Sequence, residues 1–170
     1  MIDTGDLVGF LLNLLEKEVQ LQKGVLRCAQ EKKQCLLKNR VEDLSKLLEQ
    51  EGELVFQAKE VEMKIKRVWR EVAPQIGLDS EKLSIASLAP LVGEERGKRF
   101  LVLRQELQET LAELQRVNQE NAIIIRDTLN YIEIMFSTIL REFDRRERSY
   151  GQFGFGFEQG PCGIIINGVV

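Results

Sequence analysis

The side chains that could support catalysis in this chain are carboxylates, and the sequence contains no histidine to act with them. That composition rules out Ser-His and Cys-His nucleophile pairs and most zinc sites. The sequence also has no Walker loop, no G-x-G-x-x-G turn and no C-x-x-C pair. Glu51, Glu62 or Glu133 would have to act inside a helical bundle, where di-iron carboxylate sites need an E-x-x-H pair. We therefore predict a protein that is not an enzyme, with no catalytic residue, no metal site and no cofactor.

Cysteine usage, charge and the first residues also limit the class of protein. Cys28 and Cys35 are seven residues apart on one predicted helix, roughly 10 Å along its axis and too far apart for a disulfide. Cys162 lies in a C-terminal tail. The net charge of −3 gives no general attraction to nucleic acid. Met1 is followed by Ile2 and Asp3, without the basic start of a signal peptide, so we expect a cytoplasmic protein.

The chemistry that the sequence does support is apolar recognition, in the stretch from Asn118 to Leu140. One stripe contains Ile125, Thr128, Ile132, Met135 and Ile139, and a second contains Val117, Ile124, Leu129, Phe136 and Leu140. Because consecutive helical residues are turned about 100° from one another, the two stripes cover a wide arc. Such a helix is either buried by several neighbours or keeps part of its surface for a partner. Arg126, Asp127 and Glu133 interrupt the run, so we do not expect membrane insertion.

Two helices that form an antiparallel hairpin precede this stretch. Every seventh residue from Leu7 to Cys35 is apolar, which predicts the first helix over 5–37. The second helix is predicted over 40–72, on the stripe Leu44, Leu47, Glu51, Leu54, Ala58, Val61, Ile65, Val68 and Val72. The turn between them is short, which favours antiparallel packing. In that turn, Asn39 followed by Glu42 resembles a capping box at the start of the second helix.

A crossover and a longer third helix complete the predicted all-α fold. Ala73-Pro74 ends the second helix, and a short helix opening at Ser84 leads to Leu88, Leu91 and Val92, which we expect to cover one end of the bundle. The third helix is predicted over 94–149. Its inner stripe is Phe100, Leu103, Leu107, Leu111, Leu114, Asn118, Asn121, Ile125, Thr128, Ile132, Met135, Ile139 and Phe143. We predict an antiparallel helical bundle or coiled coil of three long helices over 1–150, followed by a flexible tail rich in Gly and Phe over 151–170.

Asn118 and Asn121 interrupt the inner stripe of the third helix with polar side chains. Buried asparagine fixes the register of coiled coils, so the pair is consistent with a satisfied polar layer. The second interpretation is a polar feature beside a docking groove. The residue pattern leaves both interpretations open.

The order of these features resembles the FlgN family of flagellar export chaperones. The hairpin carries LLKNRVEDLSKLLEQEGELV, the third helix carries the L-x-x-x-N-x-x-N run from Leu114 to Asn121, and the tail opens with Tyr150-Gly151-Gln152-Phe153-Gly154. The resemblance covers nearly the whole chain. In the tail, which is Phe-rich and apolar here, the sequence departs from the polar, basic tails common in that family.

The resemblance implies a chaperone of type III export in the cytosol. Such proteins bind the disordered C-terminal ends of the hook-filament junction proteins FlgK and FlgL and deliver them to the export gate protein FlhA. The client-binding part of the family corresponds to 118–150 in this chain, and Tyr150 matches a tyrosine implicated in docking to the gate. The expected partner-binding residues are Asn118, Asn121, Ile124, Ile125, Leu129, Ile132, Met135, Phe136, Ile139, Leu140 and Tyr150. The alternative interpretation is a coiled-coil protein that associates with itself as a homo-oligomer.

Overall fold

The structure, a computed structural model, describes the backbone of residues 4–75 and 84–150 and the side chains of 7–74 and 84–145. Its helices are α1 (Thr4–Leu37), α2 (Val41–Gln75), α3 (Ile85–Leu88) and α4 (Glu94–Tyr150), with a 3-10 turn at Ala89–Leu91 between α3 and α4. No strand occurs among these residues, so the predicted all-α class is confirmed for them. The predicted tail, with Cys162, lies outside the described residues. The chain divides into two compact units, Met1–Asp127 and Thr128–Val170.

Helices α1 and α2 form the predicted antiparallel hairpin. Lys32 near the end of α1 pairs with Glu51 in the first half of α2, with 2.6 Å between Nζ and Oε2. Further back along α1, Gly24 faces Leu54, which lies further along α2. A Cβ on Gly24 would meet the Leu54 Cδ1 atom at 3.2 Å. The glycine in the middle of α1 therefore allows α2 to pack closely against it.

The turn between α1 and α2 is built differently from the predicted capping box. Asn39 has a positive φ of 55°, which asparagine tolerates better than most residues. The Arg40 amide donates to the Cys35 carbonyl at 2.9 Å and the Asn39 amide to the Leu36 carbonyl at 3.3 Å. This is a Schellman motif, in which Asn39 ends α1. The capping-box prediction is wrong because a left-handed residue does not have the extended backbone of an N-cap.

The first part of α4 runs parallel to α1, and ion pairs join the two helices at successive levels. Glu16 pairs with Arg99 at 2.8 Å, Lys23 with Glu106 at 2.7 Å and Lys33 with Glu120 at 2.7 Å. The first two pairs are seven residues apart on both helices, the spacing of facing positions in a coiled coil. These contacts fix which residues of α4 face the hairpin.

The core of the first unit is formed by α1, α2, α3, the 3-10 turn and α4. Its buried members are Leu7, Val8, Leu11, Leu14, Leu15, Val19, Leu21, Ala58, Val61, Ile65, Val68, Val72, Leu88, Ala89, Phe100 and Leu103. The predicted seven-residue repeat of α1 is confirmed from Leu7 to Cys28, which are buried. The core lies at the end of the hairpin away from Asn39, where α3 caps it.

The register of α4 differs from the predicted inner stripe. Thr110 and Val117 are buried, whereas Leu111 and Asn118 are exposed. Thr110 tolerates burial because its Oγ1 donates to the Glu106 carbonyl at 2.7 Å. From Leu103 onward, buried and partly buried positions alternate in steps of four and three residues, at 103, 107, 110, 114, 117 and 121. The predicted stripe chose the more apolar Leu111 over Thr110 and so left this register.

The crossover departs from prediction at the end of α2 and agrees with it at Ser84. Helix α2 continues through Pro74 to Gln75. Proline removes one backbone hydrogen bond, and this loss falls in the last turn, where Val72 and Ala73 are buried. The helix opening at Ser84 is confirmed, with a capping box formed by Ser84 and Ser87.

At the covered end of the bundle, Leu88 is buried and Val92 packs against the core as predicted. Leu91 is exposed, because Ala89 takes the core position in the 3-10 turn. The prediction for Leu91 is therefore wrong.

Candidate partner-binding surface

The later part of α4 presents large apolar side chains to solvent. Every residue from 125 to 145 is exposed. The exposed fractions of the large apolar side chains lie between 42% and 64%, at Ile123, Ile125, Leu129, Tyr131, Ile132, Ile134, Met135, Phe136, Ile139, Leu140 and Phe143. Apolar patches on a protein surface mark interaction sites when they are larger than scattered single residues. The wide apolar arc predicted from the sequence is therefore a surface rather than a buried core.

The predicted partner-binding residues fall into three groups. Leu129, Ile132, Met135, Phe136, Ile139 and Leu140 are exposed in the second unit. Asn118 and Ile125 are exposed in the first unit, where Ile124 is partly covered and Asn121 is buried. Tyr150 is the last residue of α4, and its side chain is outside the described residues.

Sequence reasoning missed Tyr131 and Ile134 as members of this exposed surface. Ile134 stands directly before Met135 and Phe136, as Ile123 stands before Ile124 and Ile125. Three consecutive apolar residues cannot all face one neighbour on a helix. The second run therefore carried the signal that would have identified Ile134.

Asn121 joins α4 to α1 through a buried hydrogen bond. Its Nδ2 donates to the Ala29 carbonyl at 2.9 Å, and the residue is 3% exposed. The carbonyl accepts only, so this contact fixes which atom of the amide faces α1. The Oδ1 atom is buried and has no hydrogen-bond partner among the described residues. The predicted polar layer is thus only half satisfied, and Asn118 does not belong to it.

A pocket of about 370 Å³ opens beside Asn121 within the first unit. Its walls come from all three long helices and comprise Lys32, Leu44, Leu48, Glu51, Asn118, Asn121, Ala122 and Ile125. The charges of Lys32 and Glu51 pair with each other at 2.6 Å, and their side chains are only 14% and 17% exposed. The pocket therefore has mostly apolar walls and one ion pair, whose two charges neutralise each other.

The ion pairs within α4, together with one from α4 to α1, carry equal numbers of positive and negative charges. Arg116 contacts Glu113 at 2.5 Å and also pairs with Glu120, which contacts Lys33 on α1 at 2.7 Å. The hydrogen bond from Arg116 lowers the pKa of Glu113, and the hydrogen bond from Lys33 lowers the pKa of Glu120. Two cations and two anions together leave no net charge to select a charged ligand.

Two of the three carboxylates considered for chemistry, Glu51 and Glu62, form ion pairs with lysines, and Glu133 is exposed on α4. Glu51 pairs with Lys32 as described, and Glu62 pairs with Lys66 at 2.6 Å on the surface of α2. Within the described ranges 4–75 and 84–150, no helix has a stretch both long and apolar enough to cross a membrane.

A scan against protein-family models matches the family described as FlgN protein over residues 7–154. The chain belongs to the FlgN family. The match spans the hairpin, the crossover and all of α4, so the resemblance predicted from the sequence is confirmed. Members of the FlgN family are flagellar export chaperones and not enzymes. Searches of curated proteins and of solved structures found no match.

Proposed function

We propose that this FlgN-family protein is a cytoplasmic chaperone of flagellar type III export that binds the C-terminal ends of FlgK and FlgL. In this proposal it prevents their premature assembly and delivers them to the export gate protein FlhA. The observation that carries the proposal is the exposed apolar surface of α4, in which Leu129, Ile132 and Phe136 are central. Tyr150 at the end of α4 is the proposed contact to FlhA.

An amphipathic segment of a client is the ligand that fits such a surface. A disordered end that forms a helix on binding can place apolar side chains against α4 at steps of three and four residues. Full burial of one large apolar side chain contributes about 1.5–3 kcal/mol. Ordering the segment costs about 2–5 kcal/mol or more. The ordering cost therefore lowers the affinity below what the buried apolar contacts alone would give, which suits a chaperone that must release its client.

The remainder of the chain acts as a scaffold in this proposal. The helical bundle predicted over 1–150 is the proposed chaperone domain, and residues 151–170 are its proposed flexible tail. The ion pairs of Glu16 with Arg99 and Lys23 with Glu106 support this arrangement for the first unit. No cofactor takes part, because the proposed function needs only non-covalent contacts.

Self-association is the second candidate function, and the same observation favours it. An exposed apolar helix surface also suits a second copy of the chain in a coiled coil. The two functions differ in stoichiometry and in their dependence on protein concentration. Light scattering over a range of concentrations separates a stable homo-oligomer from a monomer that awaits a client.

Calorimetric titration with the C-terminal peptides of FlgK and FlgL tests the proposal. We expect saturable binding to the wild-type protein and loss of binding in the double variant Ile132→Asp, Phe136→Asp. A matched control, Gln115→Asp with Gln119→Asp, changes two exposed residues of the same helix and should leave binding intact.

Absence of binding to either peptide, with unchanged helical content, would reject the client-binding proposal. A concentration-dependent oligomer that the Ile132→Asp, Phe136→Asp variant disrupts would then favour self-association. For delivery, Tyr150→Ala should retain peptide binding and lose co-purification with FlhA. Unchanged co-purification would reject the role of Tyr150.

A further inference from the structure

Helix α2 has an outer face that the fold leaves uncovered. Val41, Leu48 and Val55 follow each other at intervals of seven residues and are exposed, as are Phe56 and Met63 further along. A seven-residue repeat of apolar side chains is the pattern that packs against another helix. The core side of α2 is already occupied, since Ala58, Val61 and Ile65 belong to the buried cluster. The repeat therefore predicts a helical neighbour on the outer side.

The pocket beside Asn121 lies along this face. Leu44 and Leu48 of α2 form one wall, and Ala122 and Ile125 of α4 form the other. All four residues belong to the first unit. A volume of about 370 Å³ is within the usual range for ligand sites, roughly 300–1,000 Å³. Apolar side chains of a helix lying along α2 would fill this space.

Gly52 provides a second observation at the same place. It lies inside α2, one residue after Glu51 and four after Leu48, and no atom of the described residues lies within 4 Å of where its Cβ would be. Glycine in a helix interior costs about 1 kcal/mol relative to alanine. Gly24, by contrast, has the side chain of Leu54 against it. A close approach by another helix would account for Gly52 in the same way that Leu54 accounts for Gly24.

The polar groups of the pocket restrict the chemistry of the occupant. Lys32 and Glu51 neutralise each other, so a charged side chain would lack a free counter-charge. Asn121 also lines the pocket, and its buried Oδ1 has no hydrogen-bond partner among the described side chains and backbone. A buried acceptor without a partner costs about 1–3 kcal/mol. An occupant with an uncharged hydrogen-bond donor would remove that cost.

We propose that the groove between α2 and α4 binds an amphipathic helix of a partner protein, whose apolar face carries an uncharged hydrogen-bond donor at the level of Asn121. The proposal rests on the proposed client-binding function, and all the residues that line the groove belong to the first unit. Leu48 and Ile125 contact the apolar face of the bound helix, and Gly52 allows its backbone to approach. The client segment thereby becomes a fourth helix against the first unit.

The decisive variant is Gly52→Gln, measured on the full-length protein with the FlgK and FlgL C-terminal peptides. The added side chain enters open space in the free protein and replaces a helix-destabilising glycine, so the melting temperature should rise. The same side chain would obstruct the bound helix, so the Kd should become about tenfold weaker. Opposite changes in stability and affinity exclude unfolding as the cause of weaker binding.

Gly9→Gln is the matched control, because Gly9 is also a helical glycine and no atom in the described part of the chain lies within 4 Å of where its Cβ would be. It should raise the melting temperature and leave the Kd unchanged. Leu48→Gln should weaken binding as Gly52→Gln does. In NMR spectra of the wild-type protein, peptide addition should shift the side-chain amide resonances of Asn121.

The outcomes separate this inference from the proposed function. In one outcome, the double variant Ile132→Asp, Phe136→Asp abolishes binding, whereas Gly52→Gln and Leu48→Gln leave it unchanged. That outcome would overturn the groove as the binding site and retain the client-binding function. Absence of binding to the wild-type protein would overturn both. A dimer of the wild-type protein that Gly52→Gln dissociates, without peptide binding, would identify a second copy as the occupant and overturn the partner helix. Peptide binding that does not shift the side-chain amide resonances of Asn121 would overturn the proposed hydrogen-bond donor on the bound helix.

Discussion

The side-chain amide of Asn121 donates a hydrogen bond to the backbone carbonyl of Ala29, 92 positions earlier in the chain. The contact joins α4 to α1 inside the first unit, where Asn121 is buried. A polar group at such a position fixes the register of two helices, because a shift along the axis would leave it unpaired. Asn118, one turn earlier, is exposed.

The two asparagines should therefore differ sharply when they are replaced. Asn121→Asp removes the donor to the Ala29 carbonyl and leaves buried acceptor atoms, so the free energy of unfolding should fall by about 1–3 kcal/mol. Asn118→Asp, at an exposed position, should change it by less than about 0.5 kcal/mol. Urea denaturation followed by circular dichroism measures both values. Equal losses in the two variants would contradict the assignment of Asn121 as the register-fixing residue.

Glu18 should make the protein less stable as the pH rises. It is 8% exposed, its Oε1 accepts from Gln22 at 2.8 Å, and its Oε2 has no partner among the described residues. Burial raises the pKa of Glu18 above its ordinary value, Gln22 opposes this, and the charge of Glu62 adds to it. Because the folded state holds the proton more tightly than the unfolded state, stability falls between the ordinary pKa and the raised one.

Glu18→Gln removes this ionisation while retaining an acceptor for Gln22. The variant should be more stable than the wild type at neutral pH, and the difference should disappear below the ordinary pKa of glutamate. Melting temperatures at several pH values test this, with the exposed Glu49→Gln as control. A stability difference that did not change with pH would show that ionisation of Glu18 is not the cause.

Gly97 should not tolerate a side chain, although it lies inside α4. A Cβ at this position would lie 2.3 Å from the Ala89 carbonyl oxygen, which belongs to the backbone of the 3-10 turn. Gly97→Ala should lower the free energy of unfolding by about 1–3 kcal/mol, because the turn and α4 would have to separate.

Gly9→Ala provides the opposite case, since its Cβ would enter open space. It should raise the free energy of unfolding by about 1 kcal/mol through helix propensity. Thermal unfolding compares the two variants directly. Stabilisation by Gly97→Ala would show that α4 does not approach Ala89 as closely as described.

Leu88 should be the residue through which the short helix α3 stabilises the fold. It is 0% exposed within the core cluster, whereas Leu91 is 55% exposed. Leu88→Ala should lower the free energy of unfolding by about 2–5 kcal/mol, and Leu91→Ala by less than about 0.5 kcal/mol. Denaturant titration of both variants tests whether α3 is part of the cooperative unit. Similar small effects would contradict that.

The sequence predicted the helices well because their signals are long and local. The heptad of α1 from Leu7 to Cys28 and the stripe of α2 leave few alternatives for these residues. The boundaries were harder. Proline at position 74 predicts the end of α2, but the buried Val72 and Ala73 keep the last turn helical. Tertiary packing, which is not visible in local sequence, decided that boundary.

The register of α4 could not be predicted from residue types alone. Two alternative buried stripes, one residue apart, are compatible with the sequence of α4. One contains Thr110 and Val117, and the other contains their neighbours Leu111 and Asn118. A hydroxyl that bonds to its own helix, as Thr110 does, is compatible with burial, and hydropathy does not report this. The pocket beside Asn121 depends on which stripe faces α1. Its walls therefore could not be predicted from the sequence.

The spacing of the contacts along the chain has a consequence for the order in which they form. Lys32 and Glu51 of the hairpin are 19 positions apart, whereas Glu16 and Arg99 are 83 apart. Closing the longer loop costs roughly 1 kcal/mol more in chain entropy, and more of the chain must leave the ribosome before it can close. The hairpin can thus assemble while α4 is still being translated. Helix α4, which carries the apolar surface, is then the last long helix to pack, and it packs against a hairpin that has already formed.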